Sequence, residues 1–165
     1  MCDWFSHQMS ISIYTDGSAP TNVAGRDNPA GWAYVVVSGV TGANHDGGEL
    51  VSERNGKVIT DRNHPMWIGA DVGSNNTAEL SAIYHALEYI RDNNLDDVII
   101  YTDSMYAMNL IFGSWKPSSN QSLVRPAKEL ALKLHGKVIA EHVRAHQNLF
   151  WNERADQLAK QGAEL

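Results

Sequence analysis

Four carboxylates stand out by their surroundings. The segments Ile13-Tyr14-Thr15-Asp16-Gly17-Ser18 and Ile100-Tyr101-Thr102-Asp103-Ser104 share an Ile-Tyr-Thr-Asp core. Each closes a run with strand character, so two aspartates are offered at equivalent strand ends. Taken singly, an Asp followed by Gly or Ser is also the ordinary way to leave a strand and open a turn or a helix. Glu79 differs. At 100° per residue it falls inside the arc of Leu80, Ile83, Ala86, Leu87 and Ile90, where a helix would meet a sheet. A carboxylate placed there needs a cationic side chain or a metal ion to offset its desolvation. The other reading is a first-turn glutamate favoured by the helix macrodipole. Asp156, in Trp151-Asn152-Glu153-Arg154-Ala155-Asp156-Gln157-Leu158-Ala159, flanks a small apolar face of Ala155, Leu158, Ala159 and Gly162. Alone it reads equally well as a surface charge.

Together, two strand-end aspartates, an inward glutamate and a helix-borne aspartate make an all-oxygen donor set, which suits Mg²⁺ or Mn²⁺ rather than a soft metal. Two such ions about 3.5–4 Å apart can clamp the attacking and leaving oxygens of a phosphodiester. Phosphodiester hydrolysis is the chemistry that the set fits. Zinc does not fit: His142 and His146 stand four residues apart on a strand and bend, share no helix face, and have no cysteine to complete a site. The single Cys2 allows no intramolecular disulfide.

Elements of recognisable period must position these groups. Ile11–Tyr14 alternates as a first strand, and Gly31–Val37 is β-branched and aromatic enough for a second, heavily buried one. Residues 50–60 suggest a hairpin, Leu50–Glu53 and Lys57–Thr60 around Arg54-Asn55-Gly56, with a further strand at Pro65–Gly69. From Asn75 the apolar period becomes helical, with Asn75, Asn76 or Thr77 as N-cap and Asn93-Asn94 as the stop. Then come a strand at Asp97–Tyr101 and a helix at Ser104–Phe112. A helix at Leu123–Leu134 follows, with Pro126 in its first turn, then a strand at Lys137–Val143 and a closing helix at Trp151–Gly162. The order predicts an α/β fold: a five-stranded mixed sheet, an antiparallel meander extended by parallel strands, with helices on both faces. Asp16 and Asp103 would sit at carboxyl ends of strands, where such sheets bind ligands.

At 165 residues, with 43% hydrophobic and 19% charged side chains, the chain suits one domain with one site. We expect an N-terminal tail at 1–10 and a single catalytic domain at 11–163. No apolar run is long enough to span a bilayer, no signal peptide is evident, and a cytoplasmic setting without membrane partners is expected. The net charge of −6 disfavours a polyanionic partner, but it is unevenly spread. Residues 1–113 carry five basic and fourteen acidic side chains, and residues 114–165 eight basic and five acidic. The C-terminal third can therefore face phosphate.

Tyr14-Thr15-Asp16-Gly17-Ser18, Asn75-Asn76-Thr77-Ala78-Glu79-Leu80, Tyr101-Thr102-Asp103-Ser104 and Asn152-Glu153-Arg154-Ala155-Asp156 together resemble, in order and spacing, the four motifs of the type 1 ribonuclease H family. The resemblance runs from about Ile11 to Gly162. It implies a ribonuclease H-like fold and an endonuclease that hydrolyses the RNA strand of RNA/DNA hybrids, leaving 5′-phosphate and 3′-hydroxyl ends. It also implies two Mg²⁺ ions, or Mn²⁺ as a substitute, held by Asp16, Glu79, Asp103 and Asp156, and a monomeric enzyme. His146 resembles the family's mobile histidine, suited to relay a proton or help release product. Asn22, Ser74, Asn75 and Asn76 stand where the family contacts its substrate, and asparagine amides can address ribose hydroxyls and base edges. For Asn75 and Asn76, helix capping is the competing role.

The chain departs from the family pattern in places. Residues 40–64 resemble an insertion between the second and third strands. Only Trp115–Ser122 fills the gap where many bacterial members carry a basic helical protrusion, and Met105 replaces a glutamine found in several relatives. No separate N-terminal hybrid-binding domain is expected. Transposase and integrase cores, resolvases and exonucleases share the fold, so a DNA-cutting enzyme is the nearest rival reading. A hybrid-binding module without activity is another.

Overall fold

The computed structural model describes residues 10–21, 23–145 and 147–165. Five strands and four helices follow in the order β1 (Ile11–Ser18), β2 (Gly31–Ser38), β3 (Glu49–Lys57), α1 (Asn75–Asp92), β4 (Val98–Thr102), α2 (Met105–Ile111), α3 (Gln121–Lys133), β5 (Val138–His142) and α4 (Phe150–Ala163). The strands lie in the order β3-β2-β1-β4-β5. β1, β2 and β3 pair antiparallel, whereas β4 joins β1 and β5 joins β4 in parallel. The helical links between the parallel strands follow from that geometry, since parallel neighbours need a crossover.

Burial follows position in the sheet. β1 and β2 are central and covered on both faces, so Ile13, Tyr14 and Val35–Val37 are all fully buried. On one face, Ile13, Trp32, Tyr34 and Val36 pack with Leu80, Ile83, Leu87 and Ile90 of α1 and with Leu123 and Leu130 of α3. On the other, Tyr14, Ala33, Val35 and Val37 pack with Ala155, Leu158 and Ala159 of α4. Helices thus cover both faces, as the order of elements predicts. No helix among the described residues is long and apolar enough to cross a membrane.

The structure corrects several expectations. Arg54-Asn55-Gly56 is no hairpin turn: it stays inside β3, opposite Tyr34, Ala33 and Trp32. Tertiary contact overrides the local turn signal here. Gly56 lies flat under the Trp32 ring, where a Cβ would come within 2.6 Å of it, and Asn55 Nδ2 donates to the Leu158 carbonyl of α4 at 2.8 Å. Residues 40–64 are consequently no insertion before the third strand, because they contain it. Pro65–Gly69 is a turn rather than a strand, closed by Trp67 N–H on His64 O and by the Trp67 indole N–H on Ala70 O.

The N-cap of α1 is Ser74, not Asn75, Asn76 or Thr77. Ser74 Oγ accepts from Thr77 N–H and Thr77 Oγ1 accepts from Ser74 N–H, both at 3.0 Å. Threonine fills the place that glutamate or glutamine usually takes in such a reciprocal box. α3 opens two residues early, because Asn120 O already accepts from Leu123 and Val124. That leaves Pro126 inside the helix rather than in its first turn.

Candidate active site

Register brings the carboxylates together. β1 and β4 run in parallel with Tyr14 opposite Tyr101, so Asp16 and Asp103, each two residues further on, emerge side by side at the carboxyl end of the sheet. Thr15 and Thr102 are fully buried, and Thr15 Oγ1 donates to Tyr101 O at 3.2 Å, tying the two strand ends. Beyond Asp103, Ser104 caps α2 by accepting from Ala107 N–H at 3.0 Å. From β5, His142 Nε2 donates to the Asp103 carbonyl at 3.2 Å, which fixes the proton on that nitrogen.

Gly17 sets the approach of the first helix. A Cβ there would lie 2.4 Å from the backbone nitrogen of Glu79, so only glycine lets β1 press against the start of α1. That contact places Glu79 beside Asp16. Ligand oxygens of Asp16, Glu79 and Asp103 all lie within 4.8 Å of one another. Asp156, from the second turn of α4, comes within hydrogen-bonding range of Asp16 and leans the other way on Lys160, Oδ2 to Nζ 3.0 Å.

The electrostatics of this cluster are unfavourable as they stand. Burial, then the charge of Asp103, pushes Asp16 from its ordinary 3.8 up to about 8, although the Gly17 N–H on Asp16 Oδ1 at 2.8 Å acts against the rise. Burial, then the charges of Asp16 and Asp103, drives Glu79 well above the usual carboxylate range. Glu79 Oε1 is covered and has no hydrogen-bond partner among the described residues. A buried acceptor is rarely left so, and a cation between these oxygens would satisfy it and relieve the mutual repulsion. The donors are all oxygen, so the residues fit a hard divalent ion.

An RNase H family model matches residues 8–164, nearly the whole chain. The chain belongs to the ribonuclease H family. Ribonuclease H of Agrobacterium fabrum is 31% identical over 166 residues, covering 93% of this chain and 94% of that protein. Human ribonuclease H1 is 31% identical over 114 residues, which are 61% of this chain but only 40% of the human protein. The solved RNase H1 of the halophilic archaeon Halobacterium salinarum superposes with a TM-score of 0.67 at 26% identity, over 94% of this chain and 98% of that one. LC11-RNase H1 in complex with RNA/DNA hybrid shares the fold, with a TM-score of 0.62 at 22% identity over 94% and 97% of the two chains. The relatives place this ribonuclease H in the type 1 branch, a group of nucleases.

Of the site residues expected from sequence, this ribonuclease H brings Asp16, Glu79 and Asp103 into one cluster and sets Asp156 against its Asp16 side. Ser74, Asn75 and Asn76 line a shallow depression of about 290 Å³ with Thr21 and Ala24. Ser74 is occupied as the helix cap, whereas Asn75 Oδ1 accepts from Ala19 N–H at 2.9 Å and so pins the loop after β1 to the ribonuclease H active-site helix. Asn22 and His146 lie outside the described residues. Sequence reasoning missed Gly17 as a spacer, His142 as the support of Asp103, and Lys160 as the partner of Asp156. Only the last had a local signal, the i,i+4 spacing on a helix.

Proposed function

We propose that the chain is an endonuclease that hydrolyses the RNA strand of RNA/DNA hybrids with two Mg²⁺ ions, leaving 5′-phosphate and 3′-hydroxyl ends. The buried cluster of Asp16, Glu79 and Asp103, with Glu79 Oε1 unpartnered, carries the reading. Asp16, Glu79 and Asp103 would hold one ion, and Asp16 with Asp156 the other. When bound, such ions activate a water for attack and neutralise charge building on the phosphate and on the departing oxygen. Membership of the ribonuclease H family supports the assignment, and the likeness to LC11-RNase H1 in complex with RNA/DNA hybrid points to the same substrate.

The chain's own residues have separate tasks. Gly17 and the β1–β4 register hold the three clustered carboxylates in place before substrate arrives, so little reorganisation is needed at the moment of reaction. Lys160 pairs with Asp156 at 3.0 Å and holds that carboxylate beside the cluster. Asn76, exposed at the start of α1, can offer its amide to a ribose 2′-hydroxyl, and Asn22 is assigned a second such contact. Arg125 borders a hollow of about 590 Å³ at the start of α3, where its guanidinium suits a backbone phosphate. His146 is assigned proton transfer to or from the reacting groups.

The test is incubation with end-labelled RNA/DNA hybrid, duplex DNA and duplex RNA, with Mg²⁺, with Mn²⁺ and with EDTA. The expected result is metal-dependent cutting of the hybrid's RNA strand alone, lost in Asp16→Asn. Cutting of duplex DNA would move the chain to a DNA-cutting relative. Binding without cutting in any metal would leave a hybrid-binding module.

A further inference from the structure

Asp156 belongs to the cluster through Asp16 only, so its distance from the other carboxylates depends on where α4 sits. The helix does not seat itself. Its N-cap, Leu149, offers no side-chain acceptor to the first turn. The β2–β3 loop, residues 39–48, supplies what is missing: Asn44 O accepts from Phe150 N–H at 2.9 Å, and Gly47 O accepts from the Trp151 indole N–H at 3.2 Å. Between those two acceptors lies His45, held in the left-handed region at φ 49°. Its Nδ1 is 2.7 Å from the Tyr14 hydroxyl, and its ring stands edge-on to Tyr14 and Tyr101, which stack on each other at 4.9 Å. Tyr14 is fully buried two residues before Asp16, so this bond ties the loop to the strand that carries that carboxylate.

One short loop therefore grips both the strand that carries Asp16 and the helix that carries Asp156. We propose that His45, bonded to Tyr14 and flanked by the two carbonyls that hold α4, is a positioning residue that sets the gap between Asp16 and Asp156, and with it the affinity for the divalent ion those two share. The proposal rests on the metal-dependent nuclease reading above. It assigns His45 no contact with metal or substrate. Outer supports of metal ligands typically change metal affinity by about 10–100-fold when removed. Loosening a support that acts through a helix should fall at the lower end.

The experiment uses the full chain as wild type, His45→Ala and His45→Asn. Asparagine offers near the place of Nδ1 an amide that can donate or accept, and it tolerates positive φ, so it should restore what alanine removes. Two readouts are taken against Mg²⁺ concentration: the rise in melting temperature and the rate of hybrid cleavage. In His45→Ala the Mg²⁺ needed for half of either response should rise about tenfold, with kcat at saturating Mg²⁺ little changed, and His45→Asn should return to the wild-type value. In an Asp156→Asn background, His45→Ala should shift the melting response no further, because the ligand it positions is gone. Trp151→Phe, which keeps a ring and loses the indole N–H, gives the same reading if His45→Ala does not fold. An unchanged Mg²⁺ requirement, a shift of equal size in the Asp156→Asn background, or failure of asparagine to restore it overturns the proposal. If the wild type binds Mg²⁺ but cuts no hybrid, the nuclease reading fails, while the melting response still decides the role of His45.

Discussion

Replacing Asp16 by asparagine should make the metal-free protein more stable while destroying its activity. Asp16 is 5% exposed, and its ionisation is raised from 3.8 to about 8 by burial and by Asp103. The folded state therefore binds a proton that the unfolded chain has already lost. Below pH 4 both states are protonated and the site costs nothing by this route. Between pH 4 and 8 the folded state must hold its proton against solution or ionise in place, so stability falls as pH rises, by about 1.4 kcal/mol per pH unit. At pH 7 the accumulated cost has a ceiling of about 4 kcal/mol, part of it shared with Glu79 and Asp103 because the cluster titrates as a unit. Asparagine removes the charge and keeps an acceptor for the Gly17 N–H, which sits 2.8 Å from Oδ1. For a domain of this size, 2–4 kcal/mol corresponds to a rise in melting temperature of roughly 4–16 °C. The assay is thermal unfolding in EDTA from pH 4 to 8 for wild type and variant. The two curves should meet at the acid end and separate steadily towards pH 8. Added Mg²⁺ should close the gap by stabilising the wild type alone. Parallel curves, or a variant less stable than the wild type at pH 7 in EDTA, would refute the account of the cluster as stored repulsion.

Other perturbations test separate parts of the framework. Gly17→Ala forces a methyl against Glu79 N and should cost about 1–3 kcal/mol in urea unfolding, with a loss of hybrid cleavage larger than the stability loss explains. Ser74→Ala removes the cap of α1 and should lower the urea midpoint by the equivalent of about 1 kcal/mol. Asn55→Ala deletes the bond from β3 to Leu158 O and should cost about 1 kcal/mol, leaving the Mg²⁺ dependence of cleavage in place. Arg125→Ala should raise KM for hybrid and flatten its dependence on salt, with kcat preserved; an unaltered salt dependence would remove Arg125 from the phosphate path.

How far the sequence spoke depended on how local each cause was. The strand ends bearing Asp16 and Asp103 are legible because β-branched runs and Asp-Gly or Asp-Ser breaks sit within a few residues of each other. Glu79 is legible from helical period alone, since the apolar arc around it runs for about three turns, from Leu80 to Ile90. Asp156 had no such signature and emerged only from motif order. The Asn55-Gly56 pair misled because its turn chemistry is overridden by Trp32 and Leu158, residues 24 and 103 positions away. The cap of α1 was missed by one residue because threonine stands where the usual box has glutamate. The grip of the β2–β3 loop on α4 joins residues 106 and 104 positions apart, and nothing in either segment announces the other.

The contact at Gly17 has a bearing on which parts of such a site can change over time. Backbone meets backbone there, so the spacing of Asp16 and Glu79 is written by the absence of a side chain, and no repacking of the core can adjust it. The seat of α4 is of another kind, made of an indole, an imidazole, a guanidinium pair between Arg154 and Glu53, and an amide, each open to substitution. On the role proposed for this seat, selection acting on this nuclease can tune the affinity for metal through His45, Glu53 and Asn55, which stand outside the four motifs. Two members with identical carboxylates can then differ in the ion concentration at which they work.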